Sequence, residues 1–480
     1  MKTTPFWNYN KGKIEIDERL LVYFLFETGI SSYPRVNDFT SEPQFLNRNG
    51  NIIEPINPLW IHAMVIIGIE LGTIDADILP ENIKNALVSE LIDSKILTKK
   101  ELLVILRHLD KPILSDTKDS AYFFFKNTGV QVTKDGIKPF SIEKLDKYVW
   151  KSQIIDRDFD LKDFKEVEKR SEYYQFLRNI TSIKSKDKWE VNKERLDNLL
   201  TLQGYLLHGY NNCANAKAVA LMDASEIGEP NGRTGKGLFV KGLGKLKKTV
   251  MEDGKSFKDD NRFRFSQVTP DTKILFINDV KENFNFENFF PTITDGITVE
   301  VKFENKKSIP FEDSPKIIIS TNYAILGRGS SFEDRIYEFE LSNYYSNNHR
   351  PIHDFKHYLF DEWDADQWNL FYSLMLYSVK EYFNTGVVSS QGINLNRNKL
   401  IGETSKQFVE WILNSDIKPN HKYDKRTLYN EFSELTNNSP FGGISQLIFT
   451  KYLKIWAQYN NLEPFESHSN VDRTIEFKTK

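Results

Sequence analysis

The stretch Lys217 to Ala224 (KAVALMDA), then Gly228-Glu-Pro-Asn-Gly-Arg-Thr-Gly235-Lys236-Gly237, then LFVKGLGKLKKTV, decides the reading of this chain. An apolar run of strand length leads into a glycine-rich turn, and a helical pattern follows. Such a turn lets backbone N–H groups approach phosphates, and the helix N-terminus adds positive potential. Asn231, Gly232, Arg233, Thr234, Gly235, Lys236 and Gly237 are the candidate cradle, with Lys236 reaching the outer phosphates. Two positions depart from the usual phosphate-loop pattern. Pro230 stands where the first glycine of GxxxxGK belongs, and Gly237 stands where a Ser or Thr would touch magnesium. The competing reading of the same residues is an ordinary glycine-rich turn.

Working outward, two more short apolar runs recur, Lys273 to Val280 (KILFINDV) and Lys316 to Thr321 (KIIIST). Each ends in polar residues, as parallel strands do when their carboxyl ends present a site. Asp279 at the second strand end is placed to hold a magnesium-bound water, or merely to cap the strand. Asn322, after the third, would orient a water or cap a turn. Order separates these alternatives. Lys236, Asp279 and Asn322 follow one another at 43-residue intervals, and Arg335 comes 13 residues later.

That order resembles the superfamily 3 helicases of the AAA+ class, specifically the poxvirus-type primase–helicase family found in phages and bacterial mobile elements. FRFSQVTPDTKILFINDVKENFNFENFFPTITDGITVEVK, SPKIIISTNYAILGRGSSFEDR and HDFKHYLFDEWDADQWNLFYSLM are similar to that family's core, over about residues 211–385. The resemblance implies ATP and Mg²⁺ as cofactors. It makes Lys236 the phosphate-loop lysine, Asp279 the catalytic and metal-side acid, Asn322 the sensor and Arg335 the finger completing a neighbour's site. Asn278 departs from the acidic pair usual at that strand end. Between Asp279 and Asn322, alternation around Asn305-Lys306-Lys307 reads as a β-hairpin with a basic tip. In the family this hairpin lines a pore, which implies that Lys302, Lys306 and Lys307 contact single-stranded or forked DNA. A solvated hairpin tip is the plain alternative.

The expected fold class is therefore an α/β AAA+ P-loop ATPase core with an α+β N-terminal domain, a helical collar and a C-terminal winged-helix-like domain. The expected divisions are 1–155, a 156–210 collar, the 211–345 core, a 346–402 helical extension and 403–480. Helical patterns fall at 16–28, 59–71, 80–93, 99–108, across 160–208, and near 404–414, 426–435 and 444–459. Hairpins are expected at Asn49-Gly50-Asn51 and Lys134-Asp135-Gly136, and a wing strand at 470–477.

Composition limits the classes. The 480 residues carry 64 Lys+Arg against 67 Asp+Glu, a net charge of −3, so nucleic-acid contact must be local. One cysteine excludes a disulfide framework and points to a reducing, cytoplasmic setting. Leu59 to Leu71 is too short to cross a bilayer and reads as a buried helix, so no membrane partner is expected. His208 and Cys213 lack further ligands at metal spacing. Asp75-Ala-Asp77 and Asp156-Arg-Asp158 are the only hints of a primase and read better as solvated charge. The expected function is an ATP-driven DNA helicase or translocase, a homo-hexamer with a separate primase or polymerase. The rivals are an ATP-binding DNA scaffold or origin-recognition ring with little hydrolysis, and an AAA+ machine acting on protein.

Overall fold

The computed structural model describes residues 5–33, 44–71, 80–99, 105–225, 232–257, 263–282, 284–300, 307–327, 329–436, 443–468 and 473–479. At its centre lies a five-stranded parallel sheet built from β1 (Ala218–Asp223), β2 (Thr249–Asp253), β3 (Ile274–Val280), β4 (Lys316–Thr321) and β5 (Ile336–Leu341). The spatial order is β2-β3-β4-β1-β5, so β1 is flanked on both sides although it comes first in the chain. Helix α1 (Lys236–Leu243) follows β1. Both faces of the sheet are buried, which is why its strands are continuously apolar.

Side chains alternate between two cores. Val219, Leu221, Ile274, Phe276, Ile318, Phe339 and Leu341 face helices Glu172–Thr181, Lys193–Leu207 and Ala365–Thr385. Ala218, Ala220, Leu275, Ile277, Ile317 and Ile319 face the other way, onto Phe286, Phe289 and Phe332. The helices Lys193–Leu207 and Ala365–Thr385 pack closely because Gly204 lies at their crossing. A Cβ there would sit 2.6 Å from Tyr382 Cβ.

The charged helical stretch 160–208 is not continuous. Helices Phe164–Arg170 and Glu172–Thr181 are followed by a hairpin of Ile183–Ser185 with Lys188–Glu190 before helix Lys193–Leu207 begins. Lys186 takes φ 54° in that turn, a conformation that a helical pattern of charges does not betray. Asp163 caps the first of these helices, its side chain accepting from Lys165 N at 2.9 Å.

The N-terminal region pairs strands Ile30–Tyr33, Gln44–Asn49 and Ile52–Pro55, and Val149–Trp150 adds in parallel. A second sheet holds Ala121–Phe125, Gly129–Thr133 and Gly136–Phe140, the last two joined at the expected Lys134-Asp135-Gly136 turn. Of the stretch 99–108, the described residues 105–108 are not helical, and His108 bridges Ser32. Helix Pro58–Glu70 is buried on one side only. Ile61, Val65 and Ile69 enter the core, while Trp60 is 64 % and Leu71 71 % exposed. The largely apolar run reads as a buried helix, but the domain covers just one face of it. Among the described residues no helix is long and apolar enough to cross a membrane. The C-terminal region has helices Lys406–Asn414, Lys425–Thr436 and Gln446–Tyr459 beside an antiparallel sheet of Lys422–Asp424, Arg473–Thr479 and Leu462–His468.

Candidate nucleotide site

The described part of the glycine-rich turn, from Gly232, runs between β1 and α1 at the carboxyl edge of the sheet. Asn231 lies outside the described residues. Arg233 has φ 73° and Gly235 φ 112°. The φ of Gly235 favours glycine, and a Cβ there would also press on Phe176 at 3.0 Å. Gly235 is the N-cap of α1 and, lacking a side chain, supplies no cap to the helix's first N–H groups, and no side-chain cap is made among the described residues.

Lys236 is the hub. Its Nζ lies 2.6 Å from Asp223 Oδ2 and donates to Asn322 Oδ1 at 2.7 Å. The Thr234 hydroxyl donates to the other Asp223 oxygen. Burial pulls the Lys236 ammonium below its ordinary value, and the charges of Asp223 and Asp279 oppose that pull. Lysine, asparagine and two acids thus converge from three adjacent strand ends.

Asp279 reaches the site through a bulge. Ile277 pairs with Ile319 but Val280 pairs with Thr321, so β3 holds one extra residue there. Asp279 takes φ 62° in the bulge, donates its N–H to Ser320 Oγ at 2.9 Å, and pairs through Oδ2 with Lys255 Nζ at 2.6 Å. Ser320 Oγ in turn donates to Asn278 Oδ1 at 2.9 Å, so Asn278 serves the bulge. A Cβ on Gly237 would meet nothing within 4 Å.

Arg335 is not part of this group. It precedes β5, at the amino edge of the sheet, where its carbonyl accepts from Ala218 N at 2.9 Å. Its guanidinium stacks on Phe290 at 4.8 Å and donates to Ser331 O at 2.9 Å. A hairpin does form, Ile297–Val299 pairing Lys307–Ile309, but its register places Lys307 in a strand and not at the expected tip. Lys307 is the first paired residue of its strand, opposite Val299, and Lys302 and Lys306 lie outside the described residues.

No protein-family model matches the chain, and no curated protein matches it. Among solved structures it is similar to the apo A form of the NrS-1 C-terminal region, at 13 % identity over 96 % of this chain and all of that one, TM-score 0.42. A JCV helicase structure aligns at 14 % identity over 50 % of this chain and 64 % of that one, TM-score 0.27. Drosophila ORC bound to DNA aligns at 8 % identity over 68 % and 92 %, TM-score 0.18.

Sequence reasoning passed over Asp223 and Lys255. Asp223 was visible as the one acid within an otherwise apolar strand, KAVALMDA, and that was the available signal. Lys255 follows β2 with nothing to mark it. The remaining sequence hints are dispersed. His208 is buried and held by Thr117 O at 2.7 Å, and Cys213 is exposed. Asp156 is exposed, and Asp75 and Asp77 lie outside the described residues. In the C-terminal region Lys454 is already paired with Glu466, which Lys425 also holds at 2.6 Å.

Proposed function

We propose that this chain is an ATP-dependent DNA helicase or translocase with an AAA+ core of the superfamily 3 type. The observation that carries the reading is the convergence of Lys236, Asp279 and Asn322 at the carboxyl edge of a parallel sheet, beside the glycine N-cap of α1. That is where such sheets bind ligands. The loop 231–237 would hold the phosphates of ATP, and Lys236 would neutralise the outermost. Mg²⁺ typically keeps several waters and takes one or two carboxylates plus substrate phosphates, so Asp279 alone fits as its protein ligand. The ion would supply charge stabilisation at the transferring phosphate. Asn322, already bonded to Lys236, would orient the attacking water, and positioning would do most of the catalysis.

Arg335 would complete the site of a neighbouring copy, which calls for a ring, six-membered in this reading. Lys302, Lys306 and Lys307 would grip one DNA strand in its pore. A separate primase or polymerase would make primers. The 403–480 region would act as a winged helix on DNA, whereas the helices of 156–210, expected as a collar, are spent on this chain's own core. A phage or mobile-element replication system is the setting the sequence resemblance suggests.

The test is steady-state ATP hydrolysis with and without single-stranded DNA, for wild type, Lys236→Ala and Lys306→Ala/Lys307→Ala. The reading requires DNA-stimulated turnover that the first variant abolishes, and stimulation alone lost in the second. The rival, a DNA scaffold that binds ATP and hydrolyses little, draws on Gly237 and on the engagement of Asn278 with Ser320. No turnover above the Lys236→Ala background, with ATP still bound, would decide for it.

A further inference from the structure

Asp223 has no part in the mechanism above, yet it is the most buried acid at the site, 3 % exposed at the end of β1. One of its oxygens lies 2.6 Å from Lys236 Nζ, and the other accepts from Thr234. With Asn322 Oδ1 accepting at 2.7 Å as well, the ammonium is held between a paired carboxylate and an amide oxygen. An arriving phosphate therefore meets a carboxylate already on the cation it needs. Two anions cannot share one buried ammonium without repulsion.

Resting on the nucleotide reading of this site, we propose that Asp223 is an internal stand-in for the outer phosphate. Nucleotide binds only by exchanging that carboxylate for phosphoryl oxygens at Lys236. Asp223 is thus a positioning residue that acts through Lys236. After exchange it keeps the Thr234 hydroxyl as its donor, which limits the cost of leaving a buried carboxylate without its cation. Apparent affinity is reduced by the fraction of sites in which Lys236 is still engaged, and removing the competing charge lifts that reduction. The effect applies to any ligand whose phosphate reaches Lys236, inorganic pyrophosphate included.

The experiment is a fluorescence titration of the full chain with mant-ATP, and displacement by pyrophosphate, for wild type, Asp223→Asn and Asp223→Glu. Asp223→Asn is isosteric and uncharged, and it should bind both ligands about tenfold more tightly. Asp223→Glu keeps the charge and should stay near wild type. Equal or weaker binding by an Asp223→Asn protein with wild-type melting temperature overturns the proposal. Should Asp223→Asn not fold, the melting of Lys236→Met against Asp223→Ser/Lys236→Met serves instead. The single variant leaves an orphaned carboxylate and should melt lower, and the double should recover. No recovery overturns the exchange. A wild type that binds neither ligand brings down the nucleotide reading itself, an outcome distinct from wild-type binding that Asp223→Asn fails to tighten.

Discussion

Asp279 leaves the β3 ladder at φ 62° and brings its Oδ2 to 2.6 Å from Lys255 Nζ. The bulge that aims this acid at the site thus delivers it to a lysine from the next strand's connection. Lys255 is 65 % exposed, and pairs of that kind contribute little to stability. Its consequence is local charge. Lys255→Ala is expected to leave stability unchanged. It should also lower the Mg²⁺ concentration for half-maximal ATP hydrolysis by roughly threefold, because a competing cation has gone. An unchanged Mg²⁺ dependence would show that the ion never meets Asp279.

Gly237 can be filled. Its site is open to a Cβ, so the missing hydroxyl reflects the sequence and not the space around it. Gly237→Ser should raise Mg²⁺-dependent ATP turnover and stabilise the first turn of α1 by about 0.5 kcal/mol. Turnover kinetics across a magnesium titration, together with a melting curve, would check both halves.

Gly204 cannot be filled. The crossing of helices Lys193–Leu207 and Ala365–Thr385 leaves no room for a methyl group, with Tyr382 Cβ at 2.6 Å and the Ser378 backbone alongside. Gly204→Ala gains helix propensity of about 1 kcal/mol. Overpacking against backbone costs about 1–3 kcal/mol or more. The net expectation is a lower melting temperature, and a higher one would mean that the helices part easily.

His208 gives the acid limb of the stability profile a definite sign. Burial pushes its imidazole down to about 4, and its Nε2 proton is given to Thr117 O at 2.7 Å. In the unfolded chain the ring protonates near 6.5. Between those values the unfolded state binds more protons, so stability falls as pH drops from about 6.5 to about 4, by up to about 3 kcal/mol. His208→Gln keeps a donor without the titration and should flatten that limb. Denaturant midpoints at pH 7, 6, 5 and 4 would measure it.

Much of the central sheet was readable because its strands are apolar on both faces and end in polar residues. KAVALMDA, KILFINDV and KIIIST needed no tertiary information to be recognised. Turns that depend on glycine or asparagine were readable for the same local reason. What stayed hidden depends on contacts between distant residues. The Asp223–Lys236 pair spans a loop, and the bulge at Asp279 arises from register against Ser320 and Thr321. The hairpin at 183–190 sits inside a charged stretch whose composition suits a helix, and Lys186 at φ 54° is the conformational surprise. The half-exposed helix Pro58–Glu70 shows the limit of hydrophobicity as a guide, since it gives affinity for a core but not which side finds one.

The position of Arg335 has a consequence for symmetry. It precedes the amino end of β5, whereas Lys236 follows the carboxyl end of β1, and six-residue strands separate the two edges by about 20 Å. One copy cannot bring both cations to a single phosphate. A two-fold dimer that set Arg335 of each copy on the other's site would spend both binding surfaces at once and stop growing. A head-to-tail contact would leave one edge free at each end, so an assembly built that way would have a direction. Whether it closes or runs on as a filament then depends only on the rotation between successive copies.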